Sequence, residues 1–387
     1  MSEYIHMTHG KAEQREELLR MLDLTFGFEK EDDKFINLLP KLYKEKYHPA
    51  ENNIILDVDG DMRAAVGLYY SSLEICGEKL KVGGIGNVAV HPDHRNKGYM
   101  QFCMLLALDE MKQNMVDISG LGGARQRYEH FSYEPAGIQT AFNYRKDNVK
   151  RTLGANRKSK LVARELKETD TEAFKEIEII YNSRIFKAER PAENMYDILR
   201  TWKSVPYGAF EGDELKGWFV FYGDRQGVQE LFYKNEADIE EVILLALETS
   251  EKEYIRIPVP VFDRPLYNYL ALNCEFYDIG HAEQYTILCY ENVIRAFLKL
   301  EATYSKLPDG ELKLFIQGEK LPEQLKITVK DNNVTVEETD EKPDIVLKHL
   351  EAIRFVGSHY SERRNEVPAE CQAWFPLPIY SYGLDNV

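Results

Sequence analysis

Residues 87–100 read Asn87-Val88-Ala89-Val90-His91-Pro92-Asp93-His94-Arg95-Asn96-Lys97-Gly98-Tyr99-Met100, and this stretch decides the fold. Val88-Ala89-Val90 has the apolar, β-branched character of a strand end, and Pro92-Asp93 breaks it. Residues 95–99 make a short basic loop with a single glycine, and a helix follows at once. Met100, Met104, Leu108 and Met111 recur at helical spacing, so one face packs on a sheet while the first turn faces the loop. That arrangement suits an anion. The first N–H groups of a helix have no intrahelical partner, and the macrodipole places about half a positive charge there. Gly98 allows close backbone approach, and Arg95 and Lys97 add charge. The stretch is neither a P-loop nor the Gly-x-Gly-x-x-Gly dinucleotide fingerprint. Taken by itself, it also fits a basic turn capping a core helix.

At Arg95-x-x-Gly98-x-Met100 the chain resembles the GCN5-related N-acetyltransferases, whose loop reads Gln/Arg-x-x-Gly-x-Gly/Ala, with Met100 in place of the small last residue. The resemblance implies acetyl-CoA as cofactor. Val88, Ala89 and Val90 would pair through their backbone with the pantetheine arm, and Arg95, Asn96, Lys97, Gly98, Tyr99 and Met100 would hold the pyrophosphate.

The flanking chain has the expected elements. Residues 12–24 and 32–43 are helical in period, and the acidic run Glu29, Glu31, Asp32 and Asp33 lies between them, as a helix start or the rim of a substrate mouth. Residues 54–58 and 64–75 make a hairpin about Asp59-Gly60, and residues 80–90 return into the loop. After the helix comes a strand at 116–121, then Tyr128-x-x-Phe131-x-Tyr133, similar to the segment where this family places a tyrosine beside the thioester sulfur. That match makes Tyr128 the candidate general acid and leaves Phe131 and Tyr133 as packing residues; on its own, Tyr128 reads equally as a half-buried core tyrosine.

From Leu161 the elements recur in nearly the same order. Asp170 is placed to cap a helix through Ile180, residues 207–221 form a hairpin about Gly212-Asp213, and a strand at 228–233 precedes a helix at 237–247 and a strand at 254–258. In this second copy the loop reads Lys234-Asn235-Glu236-Ala237-Asp238, without glycine and mostly acidic, so it repels pyrophosphate. Residues 291–300 are helical, and strands at 312–317, 325–329, 334–338 and 344–347 follow, with a turn at Asp331-Asn332-Asn333.

The whole order resembles proteins of the enhanced intracellular survival (Eis) type, which carry two acetyltransferase-like units and a sterol-carrier-protein-like domain. The expected fold class is therefore α/β (α+β): a catalytic unit over 1–155, a degenerate acetyltransferase-like unit over 156–288, and a sterol-carrier-protein-like α+β domain over 289–387. The resemblance also implies a closed homo-oligomer, up to a hexamer, and a C-terminal carboxylate that reaches into the active site as base. Here that group is the α-carboxylate of Val387. The apolar run Trp374-Phe375-Pro376-Leu377-Pro378, with Tyr380 and Tyr382, can anchor such a tail, against the usual fraying of chain ends.

Composition bounds the partners. At 387 residues, two or three domains are expected. A net charge of −16 argues against nucleic acid or an anionic membrane and favours a cationic small molecule or peptide, although solubility alone also accounts for it. No run approaches the roughly 18 apolar residues of a membrane span, and the N-terminus lacks signal-peptide character, so a cytoplasmic location is expected. The five cysteines are dispersed and read as reduced core residues. His91 and His94 lack a third ligand nearby in sequence, so no metal is expected, and the motifs of serine hydrolases, zinc proteases and dithiol enzymes are missing.

The function that follows is an N-acetyltransferase acting on a cationic amine: an aminoglycoside-like molecule, a polyamine or a lysine side chain. An ammonium of pKa about 10.4 is free amine in only about one molecule per thousand at neutral pH, so the site must remove a proton. The competing reading is a carrier protein whose C-terminal domain holds an apolar ligand on an acetyltransferase scaffold.

Overall fold

The computed structural model describes residues 4–28, 30 and 34–387. In chain order the strands are β1 (Ile5–His9), β2 (Asn53–Val58), β3 (Asp61–Ile75), β4 (Glu78–Val90), β5 (Ile118–Leu121), β6 (Glu134–Ala136), β7 (Gln139–Arg145), β8 (Val162–Glu165), β9 (Phe186–Ala188), β10 (Val205–Glu211), β11 (Glu214–Phe221), β12 (Val228–Tyr233), β13 (Tyr254–Val259), β14 (Phe276–Gly280), β15 (Glu283–Ile287), β16 (Gly310–Gln317), β17 (Glu323–Lys330), β18 (Asn333–Glu338) and β19 (Ile345–Lys348). The first sheet runs β1-β2-β3-β4-β5-β15-β6, with β9 added to β3. Within it β4 and β5 are parallel, joined by the helix Tyr99–Gln113 as a crossover.

That helix buries Cys103, Met104, Ala107, Leu108 and Met111 against Ile54, Leu56, Val66 and Ile85 of the sheet. Each such side chain contributes at most about 1.5–3 kcal/mol, enough to fix the helix and so its first turn. Met100, at the head of the periodic stripe, is only half-buried.

Two strands cross between the units. β7, inside the 1–155 segment, lies between β13 and β14. β15, inside 156–288, inserts between β5 and β6 of the first sheet. Both exchanges cross the limit at 155/156, whereas the strands after residue 288 share a sheet only with one another. The second unit otherwise repeats the first, with β12-β11-β10-β8 beside β13-β7-β14. The last sheet, β18-β17-β16-β19, turns its alternate residues Leu312, Leu314, Ile316, Leu325, Ile327 and Val329 into a core shared with the helix Tyr290–Ala302. Its hairpin turns at Asp331 and Asn332, both at positive φ.

Two expectations change, and one falls where the structure is not described. The helix expected over 32–43 is two short ones, Phe35–Leu38 and Pro40–Tyr43, because Pro40 pushes Leu39 out of the helical region to φ −129°, ψ 61°. Glu29, Glu31, Asp32 and Asp33 lie outside the described residues. Asp170 stands at the start of the helix Thr171–Asn182, but its carboxylate accepts from the Lys167 N–H at 2.6 Å and caps nothing.

The C-terminal segment threads through all of this. Trp374, Leu377, Ile379, Tyr380, Tyr382 and Leu384 are buried in the core that joins the units. Trp374 Nε1 donates to the Pro308 carbonyl at 2.9 Å, and the Ile379 carbonyl accepts from Ile138 N–H at 2.9 Å. Among the described residues no helix is long and apolar enough to cross a membrane.

Candidate active site

β4 pairs with β5 only from Val82 to Ile85, because β5 ends at Leu121. Residues 86–90 continue without β5, and the two strands splay. On its other edge β4 carries one extra residue relative to β3, between the pairs Gly67–Gly86 and Ala65–Ala89. Asn87 sits in this bulge at φ 37°, held by a buried network. Its Oδ1 accepts from Tyr43 Oη at 2.5 Å and Tyr69 Oη at 3.2 Å, while its Nδ2 donates to Asn53 Oδ1 at 2.7 Å. The splayed edge is thus fixed by side chains as well as by the ladder.

Beyond Val90 a single turn, Pro92–His94, leads to the helix. Asn96 (φ 63°) and Gly98 (φ 81°) both take the left-handed conformation, and Gly98 is the residue before the helix. A Cβ there meets nothing closer than Phe102 at 4.0 Å, so backbone conformation rather than space selects glycine. Val88, Val90, Arg95, Asn96, Lys97, Gly98, Tyr99 and Met100 all line one cleft of about 970 Å³, together with His130 and Phe131. Ala89 differs: its side chain is buried among Leu18, Met62 and Ala65, so only its backbone is available to a ligand. An open strand edge, the N-terminal turn of a helix and two basic side chains fit the pantetheine and pyrophosphate of coenzyme A.

The cleft shares Phe26, Val88 and Arg127 with a second cavity of about 680 Å³, which Tyr128, Glu283 and Val387 also line. Tyr128 ends the short helix Arg125–Tyr128, and its ring lies 2.6 Å from where a Cβ on Gly123 would stand. Burial raises its hydroxyl above the usual tyrosine value while the adjacent Arg127 draws it down, so it holds its proton at neutral pH. Tyr133 is buried, with its hydroxyl 2.6 Å from Ser119 Oγ.

Val387 reaches the same cavity because the tail is pinned on both sides. Lys41 Nζ donates to the carbonyls of Leu384 (2.5 Å) and Asn386 (2.7 Å). Asp385 pairs with the buried Arg190 at 2.7 Å, and Arg190 pairs with Glu230 at 2.9 Å. Burial brings Lys41 down to about 8, against the pull of Asp385. The end of the tail lies on a glycine floor. A Cβ on Gly84 would stand 2.6 Å from Val387 Cγ2, and one on Gly86 3.5 Å from the Val387 carbonyl carbon.

The sequence offered no sign of Glu283, Lys41 or Asn87. Glu283 comes from β15 and borders both this cavity and a smaller one of about 350 Å³ behind the tail. Burial pushes its carboxyl up to about 7, moderated by Lys41. In the second unit, the matching loop closes on itself. Asn235 N–H donates to Asp238 Oδ2 at 3.0 Å, and Glu240 and Glu241 occupy the first turn of the helix Ile239–Ser250, where they pair with Arg157. His91 and His94 sit 5.8 Å apart, ring to ring, and His91 Nδ1 accepts from the Asp93 N–H.

Residues 6–136 match the family described as Acetyltransferase (GNAT) domain. The chain is therefore an acyltransferase in its first unit, with acetyl-CoA as the acyl donor of that class. In three dimensions it is similar over 100% of its length to 99% of a GCN5-related N-acetyltransferase from Kribbella flavida, at 16% identity and a TM-score of 0.67. A GCN5-related N-acetyltransferase from Anabaena variabilis gives 14%, 0.68 and coverage of 98% and 97%; Eis1 from Mycobacterium abscessus gives 14%, 0.60 and 98% of both chains. These likenesses are of fold, and they extend well beyond residues 6–136 to nearly the whole chain. No curated protein matches the chain in sequence.

Proposed function

We propose that the chain transfers acetyl directly from acetyl-CoA to an amine of a cationic acceptor, with Tyr128 as general acid and the α-carboxylate of Val387 as base. The observation that carries this reading is the seating of Val387 over Gly84 and Gly86, in the cavity that Tyr128 and Val88 also line. When bound, the cofactor supplies an activated acetyl group on sulfur. Val88, Val90 and residues 95–100 hold it, and Tyr128 donates a proton to the departing sulfur, an effect worth about 10²–10⁴ in rate. Val387 attracts the acceptor ammonium and takes a proton from its nitrogen. Carboxylates at the acceptor end and the net charge of −16 favour a cationic amine such as an aminoglycoside, a polyamine or a lysine side chain.

The division into a catalytic unit, a degenerate repeat and a sterol-carrier-protein-like unit over 289–387 belongs to the same reading, supported by the closed acidic loop of the repeat and the separate last sheet. The test is to append a few residues after Val387, or to delete residues 385–387. Acetyl-CoA binding, measured by calorimetry, stays intact and amine-dependent thiol release falls at least about tenfold. Full turnover in the extended protein overturns the role of the tail.

A further inference from the structure

Gly84 on β4 and Gly120 on β5 are register partners across the parallel pair. Each lies beneath a residue that bears a carboxyl group. Val387 lies over Gly84 and Gly86, whereas Glu283 Oε2 stands 3.0 Å from a Cβ position on Gly120, and its Oε1 3.9 Å from one on Gly122. The Val387 carboxyl thus lies over Gly86 of β4 and the Glu283 carboxyl over Gly120 of β5, on neighbouring strands that run about 4.8 Å apart. Glu283 reaches this place only because β15 leaves the second unit and inserts beside β5. Lys41, Tyr133, Tyr285 and the end of the tail face it, and among the described residues no donor hydrogen-bonds its carboxylate. A carboxylate enclosed in a cavity without hydrogen-bond donors is costly to keep as a structural element.

We propose that Glu283 is a second proton acceptor of this active site, taking the proton of the acceptor's ammonium form, while the Val387 carboxylate takes the proton released as the new bond forms. This rests on the acyl-transfer reading above. The accounting calls for two acceptors. Turning R–NH₃⁺ into R–NH–CO–CH₃ removes two protons from nitrogen; the N–C bond forms with the nitrogen lone pair, the C–S bond breaks with its pair on sulfur, and sulfur takes back one proton, from Tyr128. The proton on Val387 restores Tyr128. One proton is left over for each turnover, and Glu283 carries it to solvent. Burial suits Glu283 to this task, because each unit by which its proton affinity approaches that of the amine makes the transfer about tenfold less uphill.

The test compares the full chain with E283Q. With a simple alkylamine, kcat/KM at neutral pH falls at least about tenfold, and the gap closes as the pH rises toward the amine's own pKa. With trifluoroethylamine, already uncharged at neutral pH, the substitution has little effect. Without any cofactor, infrared difference spectra of the wild type show a protonated carboxyl that titrates near neutrality and is missing in E283Q. Retained acetyl-CoA affinity shows that E283Q folds, and E283D restores part of the alkylamine rate. Equal losses for both amines, or infrared spectra in which the two proteins match, overturn the assignment. A wild type that binds acetyl-CoA and acetylates neither amine overturns acyl transfer instead, and the infrared result still decides whether Glu283 holds a proton at neutrality.

Discussion

Val387 and Gly84 are in direct contact: the valine Cγ2 occupies the space where any side chain on residue 84 would begin, 2.6 Å from its Cβ position. Gly84→Val therefore lifts the end of the tail from the sheet while leaving the loop at 95–98 untouched. The expected result is a loss of kcat of at least about tenfold with little change in acetyl-CoA affinity, read by steady-state kinetics and calorimetry. Wild-type kcat in this variant would separate the tail from catalysis.

Tyr128→Phe removes a hydroxyl and keeps the ring against Gly123. If that hydroxyl protonates the leaving sulfur, kcat drops by about tenfold or more and acetyl-CoA affinity stays close to wild type. An unchanged kcat returns Tyr128 to the core.

Gly98→Val places a β-branched residue at φ 81° immediately before the helix Tyr99–Gln113. The loop must rearrange, and acetyl-CoA affinity falls at least about tenfold, while far-ultraviolet circular dichroism stays that of the wild type because residue 98 packs against no core side chain. Calorimetry showing wild-type affinity would move the pyrophosphate elsewhere.

Glu301, in the helix Tyr290–Ala302, is pushed by burial up to about 8, and its Oε2 is buried with no hydrogen-bond partner among the described residues. Its folded value lies above the ordinary glutamate value of about 4.3, so the folded chain holds a proton that the unfolded chain has lost. Below pH about 4 both states are protonated and the site costs nothing; stability then falls as pH rises toward 8. Glu301→Gln is expected to raise the melting temperature by a few degrees at pH 8 and to leave it unchanged at pH 4. Equal melting shifts at both pH values would refute this.

The parts of the site readable in the sequence are those whose residues are neighbours along it. The strand, loop and helix at 87–113 announce themselves through Pro92, Gly98 and the spacing of Met104, Leu108 and Met111, all local signals. Pro40 was equally legible as a helix break, and the apolar period of Phe35, Leu38, Leu39 and Leu42 masked it. Glu283 was not legible. Residues 283–287 carry no local signal of a site, and only pairing with β5, some 160 residues earlier, places that carboxylate in the cavity that Tyr128 and Val387 line. The Asn87 bulge is hidden for the same reason, since its partners Tyr43, Tyr69 and Asn53 are scattered along the chain.

The exchange of β7 and β15 also sets an order of birth. As the chain leaves the ribosome, β5 and β6 have no partner between them until residues 283–287 have been made, and β7 waits with its edges open for β13 and β14. The catalytic sheet thus cannot close as an independent early domain, and its exposed edges must be shielded for most of translation. Such long-range pairing makes for slow folding, and it ties the two units so that neither can be cut away without opening the other's sheet.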